Sequence, residues 1–205
     1  MKTIETGIKE LLIIEPDVFY DTRGYFFESF NHEEFKKAQK EHQEISKTLK
    51  TGEFKSGLQN DSEIITKYHT ATHLLHAALR KILGDHVGQS GSNITTERLR
   101  FDFTHNEKLT ESQIKEIEDL VNQKIKEDLP INCENQKFED AKLSGALAFF
   151  GNKYPEIVSV YTMGDFSKEI CTGPHAVSTN SLGIFKIQKE ESAGSGKRRI
   201  YAILM

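Results

Sequence analysis

The sequence predicts an α+β domain built on a mostly antiparallel sheet, and three observations carry that expectation. Segments 61–83 and 110–129 place apolar residues at helical spacing. Most of the remainder reads as short apolar or alternating runs bounded by turn residues. The helical segments interrupt groups of strands without regular β-α alternation, which favours α+β over a doubly wound architecture. With 205 residues the chain suits one domain, or one domain with a small appendage, and needs no staples to bury a core.

Along the chain, Leu11–Ile14 is an apolar run and Tyr25–Phe30 an aromatic-rich one. Both read as strands, with Asp21-Thr-Arg-Gly24 as the turn between them. His32–Glu44 is charged with little periodicity, a short helix or linker. Lys50–Asp61 reads as a loop through Gly52, Gly57 and Asn60. Composition changes here, so the expected division is 1–45, an N-terminal hairpin and linker, and 46–205, the main domain.

Asp61 or Ser62 can cap a helix that Gly84 stops near Leu83. On it Ile64, Tyr68, Leu75, Leu79 and Ile82 form a core-facing stripe. His69, His73, His76 and Arg80 share a neighbouring face. Arg98–Thr104 alternates as a strand. Thr110 and Gln113 have capping-box spacing and open a helix with Ile114, Ile117, Val121 and Ile125 on one side, ended by Pro130. A strand near Ile131–Phe138 and a short helix near Glu139–Ser144 follow. Strands are expected at Ile157–Met163, Lys168–Cys171, Ile184–Lys189 and Arg198–Leu204.

The net charge of −4 excludes a protein that holds nucleic acid by bulk attraction, so any such contact must come from local basic clusters. Two cysteines, Cys133 and Cys171, make no disulfide framework. Nothing reads as a signal peptide or membrane span, and the expected location is the reducing cytoplasm, with no membrane partner. Cys133 reads as a small, half-buried strand residue with no nearby partner.

The chemistry concentrates in two short motifs. His69-Thr-Ala-Thr-His73 puts two imidazoles at i and i+4 on one helix face. Cys171-Thr-Gly-Pro-His175 adds a thiolate and a third imidazole at a strand end and tight turn. Together these nitrogen and sulfur donors suit tetrahedral zinc better than magnesium or calcium. Either pair alone is more often incidental; the two together in a chain with 8 His and 2 Cys are less easily accidental. A zincin-type protease is excluded, because Thr70 stands where that chemistry needs Glu. His76 extends the helix face beyond the pair, in a surface or supporting role.

Tyr68-His-Thr-Ala-Thr-His-Leu-Leu-His-Ala-Ala-Leu-Arg80 closely resembles the start of the editing domain of alanyl-tRNA synthetases. The same holds for Gly84–Ser92, Arg98–Phe103, Gly164–Cys171, Gly183–Ile187 and Arg198–Ile200. The resemblance runs from about Gly52 to the end; free-standing alanyl-tRNA trans-editing proteins and threonyl-tRNA synthetase carry the same domain type. It implies a zinc-dependent hydrolase that removes wrongly attached serine or glycine from tRNA(Ala), with the acceptor end of that tRNA as partner. By resemblance His69, His73, Cys171 and His175 fall on zinc positions, and Gln89 on a polar pocket residue. Ser90 and Ser92 extend that polar strip, although without the resemblance Gln89–Ser92 reads as an ordinary polar loop. Glu169 would orient a ligand or a water, although an alternating strand Glu is more often solvent-facing. Thr172 departs from the usual glycine at its position. The synthesis domain and a C-terminal tail domain have no counterpart, so the chain as it stands is not expected to charge tRNA. Lys197-Arg198-Arg199 would meet acceptor-stem phosphates or form a solvated strand end.

Ile14–Phe30 resembles something else, the opening of dTDP-sugar 3,5-epimerases. No sugar chemistry is expected, since that family's jelly roll and catalytic His have no counterpart here; Arg23 and Glu28 would serve the local hairpin. Three classes of function thus stand: an editing hydrolase, a non-catalytic zinc-stabilised tRNA-binding module or synthetase fragment, and, ranked last, a sugar-nucleotide enzyme.

Overall fold

A computed structural model of the chain describes residues 2–5, 12–15, 18–22, 24–27, 63–148 and 154–205. The chain divides into two compact units, Met1–Phe54 and Lys55–Met205. The expectations for His32–Glu44, Lys50–Asp61, the caps Asp61 and Ser62, and Arg23 and Glu28 lie outside the described residues.

In the first unit, β1 (Lys2–Glu5) pairs antiparallel with β2 (Leu12–Glu15), and β3 (Val18–Asp21) with β4 (Gly24–Phe27). The turn between Asp21 and Gly24 is present but joins β3 to β4, and not the Leu11–Ile14 run to the Tyr25–Phe30 run as expected, because the former pairs with β1; Gly24 takes φ +137°, a conformation that disfavours a side chain. β1 and β3 were not expected, because Lys2–Glu5 and Val18–Asp21 carry little alternation of their own.

The second unit holds α1 (Glu63–Leu83), β5 (Gln89–Ile94), β6 (Leu99–Thr104), α2 (Glu111–Lys126), β7 (Ile131–Lys137), α3 (Phe138–Leu143), β8 (Ile157–Met163) and β9 (Ser167–Ile170). A 3₁₀ turn at Thr179–Leu182 leads to β10 (Phe185–Gly194) and β11 (Lys197–Leu204). A four-stranded sheet runs β10-β11-β6-β5 and a three-stranded one β7-β8-β9, with every strand pairing antiparallel. The α+β expectation is borne out.

One buried cluster joins α1, α2 and the four-stranded sheet. Leu74, Leu75 and Leu79 of α1 and Ile117 and Val121 of α2 meet Leu99, Phe101, Phe103, Phe185 and Ile200. Each such side chain contributes roughly 1.5–3 kcal/mol by leaving water. The register explains the face: Phe101 lies opposite Ile200, and Leu99 opposite Ala202, so apolar residues line up across strands. Two of the helix ends that the sequence specifies are formed, while α2 stops at Lys126, short of Pro130. Gly84, at φ +114°, donates its N–H to the Arg80 carbonyl, and Thr110 and Gln113 close a reciprocal capping box.

A second, smaller cluster of Ala141, Ala146, Val158, Val160 and Ile170 backs the three-stranded sheet, with Phe138 stacked on Tyr154 beside it. β5 is a correction: Gln89–Ser92 is an edge strand and not a loop. Its polar, glycine-containing sequence gives no strand signal, and pairing with β6 alone makes it one.

Candidate metal centre

Two rigid supports hold the donor residues. α1 buries its apolar side in the large core, and its adjoining face is buried as well, through Thr70, Thr72, His73 and His76. β9 ends at Ile170, and the turn that follows carries Cys171 and His175 back across α1. The Cys171 N–H donates to the Ser159 carbonyl of β8, which fixes the strand end.

The candidate ligating atoms of His69, His73, Cys171 and His175 all lie within 4.8 Å of one another. Cys171 Sγ is 3.3 Å from His69 Nε2. The His175 ring stacks on His69 at 4.2 Å between centroids and meets His73 edge-on at 4.5 Å. Motifs a hundred residues apart in sequence thus converge on one point.

The electrostatics of this cluster suit a cation. Burial holds the His69 imidazole below its ordinary range despite the Pro174 carbonyl, and burial with three neighbouring histidines holds His73 well below it. Burial and His69 press His175 down to about 2. All three rings are therefore neutral at neutral pH, as metal ligands must be. The Cys171 thiol is pushed up to about 11 by burial, only partly offset by the N–H groups of Gly173 and Thr172. His175 Nε2 is buried with no hydrogen-bond partner among the described residues, an orphaned ring nitrogen in the middle of the cluster. These residues fit a tetrahedral zinc site.

Around the donors sits a set of polar groups that sequence reading placed only in part. His69 Nδ1 donates to the Pro174 carbonyl at 3.0 Å, so its Nε2 is the unprotonated nitrogen, turned toward Cys171 Sγ. Glu169 is buried, not solvent-facing. Its Oε1 accepts from His76 Nδ1 at 2.9 Å, and its Oε2 lies 3.2 Å from His73 Nδ1, in contact but out of line for a full hydrogen bond. His76 is 1% exposed, which rules out the surface alternative. Burial raises the Glu169 carboxyl above its ordinary range, and His76 and Arg80 pull it back. Tyr161, which the sequence did not single out, lays its ring 4.2 Å from His175. It is paired in register with Glu169, and burial together with the hydrogen bond that its hydroxyl donates to its neighbour Cys133 raises that hydroxyl to about 12. Cys133 is exposed and touches Tyr161, not the half-buried, partnerless residue expected.

The polar strip is separate from the donors. Gln89 pairs with Phe103 and Ser92 with Phe101, so both share the sheet face on which Phe101 meets the His76 ring at 5.5 Å. Gln89 is half-buried and Ser92 exposed. Ser90 falls at the β-bulge between Gln89 and Gly91, its Oγ buried without a partner among the described residues. Of the basic triplet, Arg199 is clamped by both Asp102 oxygens, at 2.7 and 2.9 Å, and Arg198 pairs with Glu190. Only Lys197 stands exposed without such an ion pair among the described residues.

Comparison with known proteins gives the same direction. Residues 158–201 match the family described as threonyl and alanyl tRNA synthetase second additional domain. Residues 5–58 match the dTDP-4-dehydrorhamnose 3,5-epimerase family, as the N-terminal resemblance indicated. The chain is 54% identical over 196 residues to the alanine–tRNA ligase of Treponema denticola, covering 90% of this chain and 33% of that protein. The alanine–tRNA ligase of Borreliella burgdorferi is 49% identical over 197 residues, 91% of this chain and 33% of its own length. That of Petrotoga mobilis is 51% identical over 137 residues, 67% of this chain and 16% of its own. The chain spans about a third of the length of the first two. A match over nine-tenths of the chain also takes in part of residues 5–58, so the two likenesses overlap. Among the described residues no helix is long and apolar enough to cross a membrane.

Proposed function

We propose, taking as premise that this chain is related to alanyl-tRNA synthetases over their editing-type region, that it hydrolyses the ester of serine or glycine wrongly attached to tRNA(Ala). The observation that carries the proposal is the convergence of three neutral imidazoles and one thiol, from two distant motifs, around the orphaned Nε2 of His175.

His69, His73, Cys171 and His175 would hold zinc. When bound, zinc supplies polarisation of an ester carbonyl or a water of lowered pKa. The chain's own residues do the rest. The Pro174 carbonyl orients the His69 ring by a hydrogen bond, and Glu169 lies against Nδ1 of His73. Tyr161 shields one side of His175. Gln89 and Ser90 offer polar groups on β5, where a serine hydroxyl would find a partner that alanine cannot use. Lys197 remains for acceptor-end phosphates, since Arg198 and Arg199 are committed to carboxylates.

One observation favours a second reading. Four protein donors already fill a tetrahedral shell, which is the mark of a structural zinc, and such a module would bind tRNA without turnover. Deacylation of Ser-, Gly- and Ala-charged tRNA(Ala) separates the two. The editing reading expects serine and glycine to be removed faster than alanine by zinc-loaded protein only. Stoichiometric zinc with tRNA binding but no release of any amino acid would select the structural reading.

A further inference from the structure

We infer that Thr70 is a positioning residue for this centre: its hydroxyl fixes His175 as the Nδ1–H tautomer and leaves Nε2 as that ring's donor atom. The inference rests on the zinc reading for its purpose, but the tautomer itself follows from a proton count.

Thr70 is wholly buried, and its Oγ1 has three partners. It lies 2.9 Å from the Thr66 carbonyl, 3.0 Å from the Ala176 backbone N and 3.3 Å from His175 Nδ1. A carbonyl can only accept, so the one hydroxyl proton goes to Thr66, the ordinary i−4 bond of a helical threonine. A backbone N–H can only donate, so one lone pair receives Ala176. A hydroxyl has one proton and two lone pairs. The remaining lone pair faces His175 Nδ1, and that contact is attractive only if Nδ1 carries the ring proton. Nε2 is then deprotonated, an acceptor buried without a partner among the described residues. The same hydroxyl ties the Cys171–Ala176 turn to α1, so it sets both the tautomer and the position of the ring. Thr72 serves as an internal control. It is buried two residues along the same helix and makes the same i−4 bond, to the Tyr68 carbonyl at 2.8 Å, yet among the described residues no hydrogen bond links it to an imidazole.

The test uses the full chain in three measurements. Long-range ¹H–¹⁵N spectra of the imidazoles in the metal-free wild type should show His175 protonated at Nδ1; protonation at Nε2 overturns the inference without any variant. Zinc affinity by chelator competition should fall about ten- to a hundredfold in Thr70→Val, the scale typical of a lost partner behind a ligand. It should stay near wild type in Thr70→Ser, which restores the hydroxyl, and in Thr72→Val. Thr70→Val binding zinc as tightly as wild type also overturns the inference. A wild-type chain that shows Nδ1–H but takes up no zinc removes the zinc reading and leaves the tautomer assignment standing.

Discussion

The two halves of the candidate centre are built differently. His69 and His73 stand on α1, whose other side is locked into the large cluster with Leu74, Leu75, Leu79, Phe101 and Phe103. Cys171 and His175 leave the three-stranded sheet, which is backed mainly by the smaller cluster of Ala141, Ala146, Val158, Val160 and Ile170, with Met163 reaching the large one. Packing thus pre-orders the helical pair. The strand-end pair is placed by polar ties: Ala176 N–H to Thr70, His69 to the Pro174 carbonyl, Cys171 N–H to Ser159. The difference teaches that a metal here would act on the second half more than the first, since binding to the folded form alone stabilises what is otherwise least secured.

The largest effect expected is on the ion itself. His73→Ala should take zinc from about one per chain to none by elemental analysis, and deacylation should disappear with it. Retention of stoichiometric zinc would show that the helical half is not part of the site.

Core truncations sharpen the contrast. Phe101→Ala should cost about 3–5 kcal/mol in urea unfolding, as loss of a buried aromatic does. Val160→Ala in the smaller cluster should cost nearer about 1–2 kcal/mol, the loss of roughly two buried methylenes. Hydrogen exchange should show chelation opening β8 and β9 before β6 and β11; equal opening of both sheets would erase the distinction.

Acid should probe the same centre in chelated protein. The folded-state pKa of His69, His73 and His175 lies below the unfolded value, so their contribution is complete above about pH 6.5 and is lost as pH falls toward those depressed values. His175 alone should cost about 1.4 kcal/mol per pH unit across that window. Glu169 runs the other way, its raised carboxyl taking up a proton more readily when folded, and offsets part of the loss. Urea melts at pH 7 and pH 5 measure the sum, and a stability that does not fall between them contradicts this account.

The smallest effect concerns selection. Gln89→Leu should narrow the preference for serine over alanine by about 1–2 kcal/mol, one buried hydrogen bond, with zinc content unchanged. An unchanged ratio of deacylation rates would take Gln89 out of the pocket.

By itself the sequence determined both long helices, their Gly84 and Thr110 ends, and six of the strands in the larger unit, because each rests on local periodicity and capping chemistry. It also determined the four candidate donors, since His and Cys at short spacing declare themselves. Only the tertiary structure decided the rest. β5 is polar and exists through its pairing with β6, a non-local gain no window of residues displays. Glu169 alternates like any strand residue, and whether it faces water or two histidines depends on which element covers its sheet. Tyr161 enters through strand register. Thr70, which the sequence marked only as the wrong residue for a protease, acquires its role from His175 and Ala176, more than a hundred residues away. A side chain's type is written locally, but its proton and its partner are fixed by groups that only folding brings within hydrogen-bond reach.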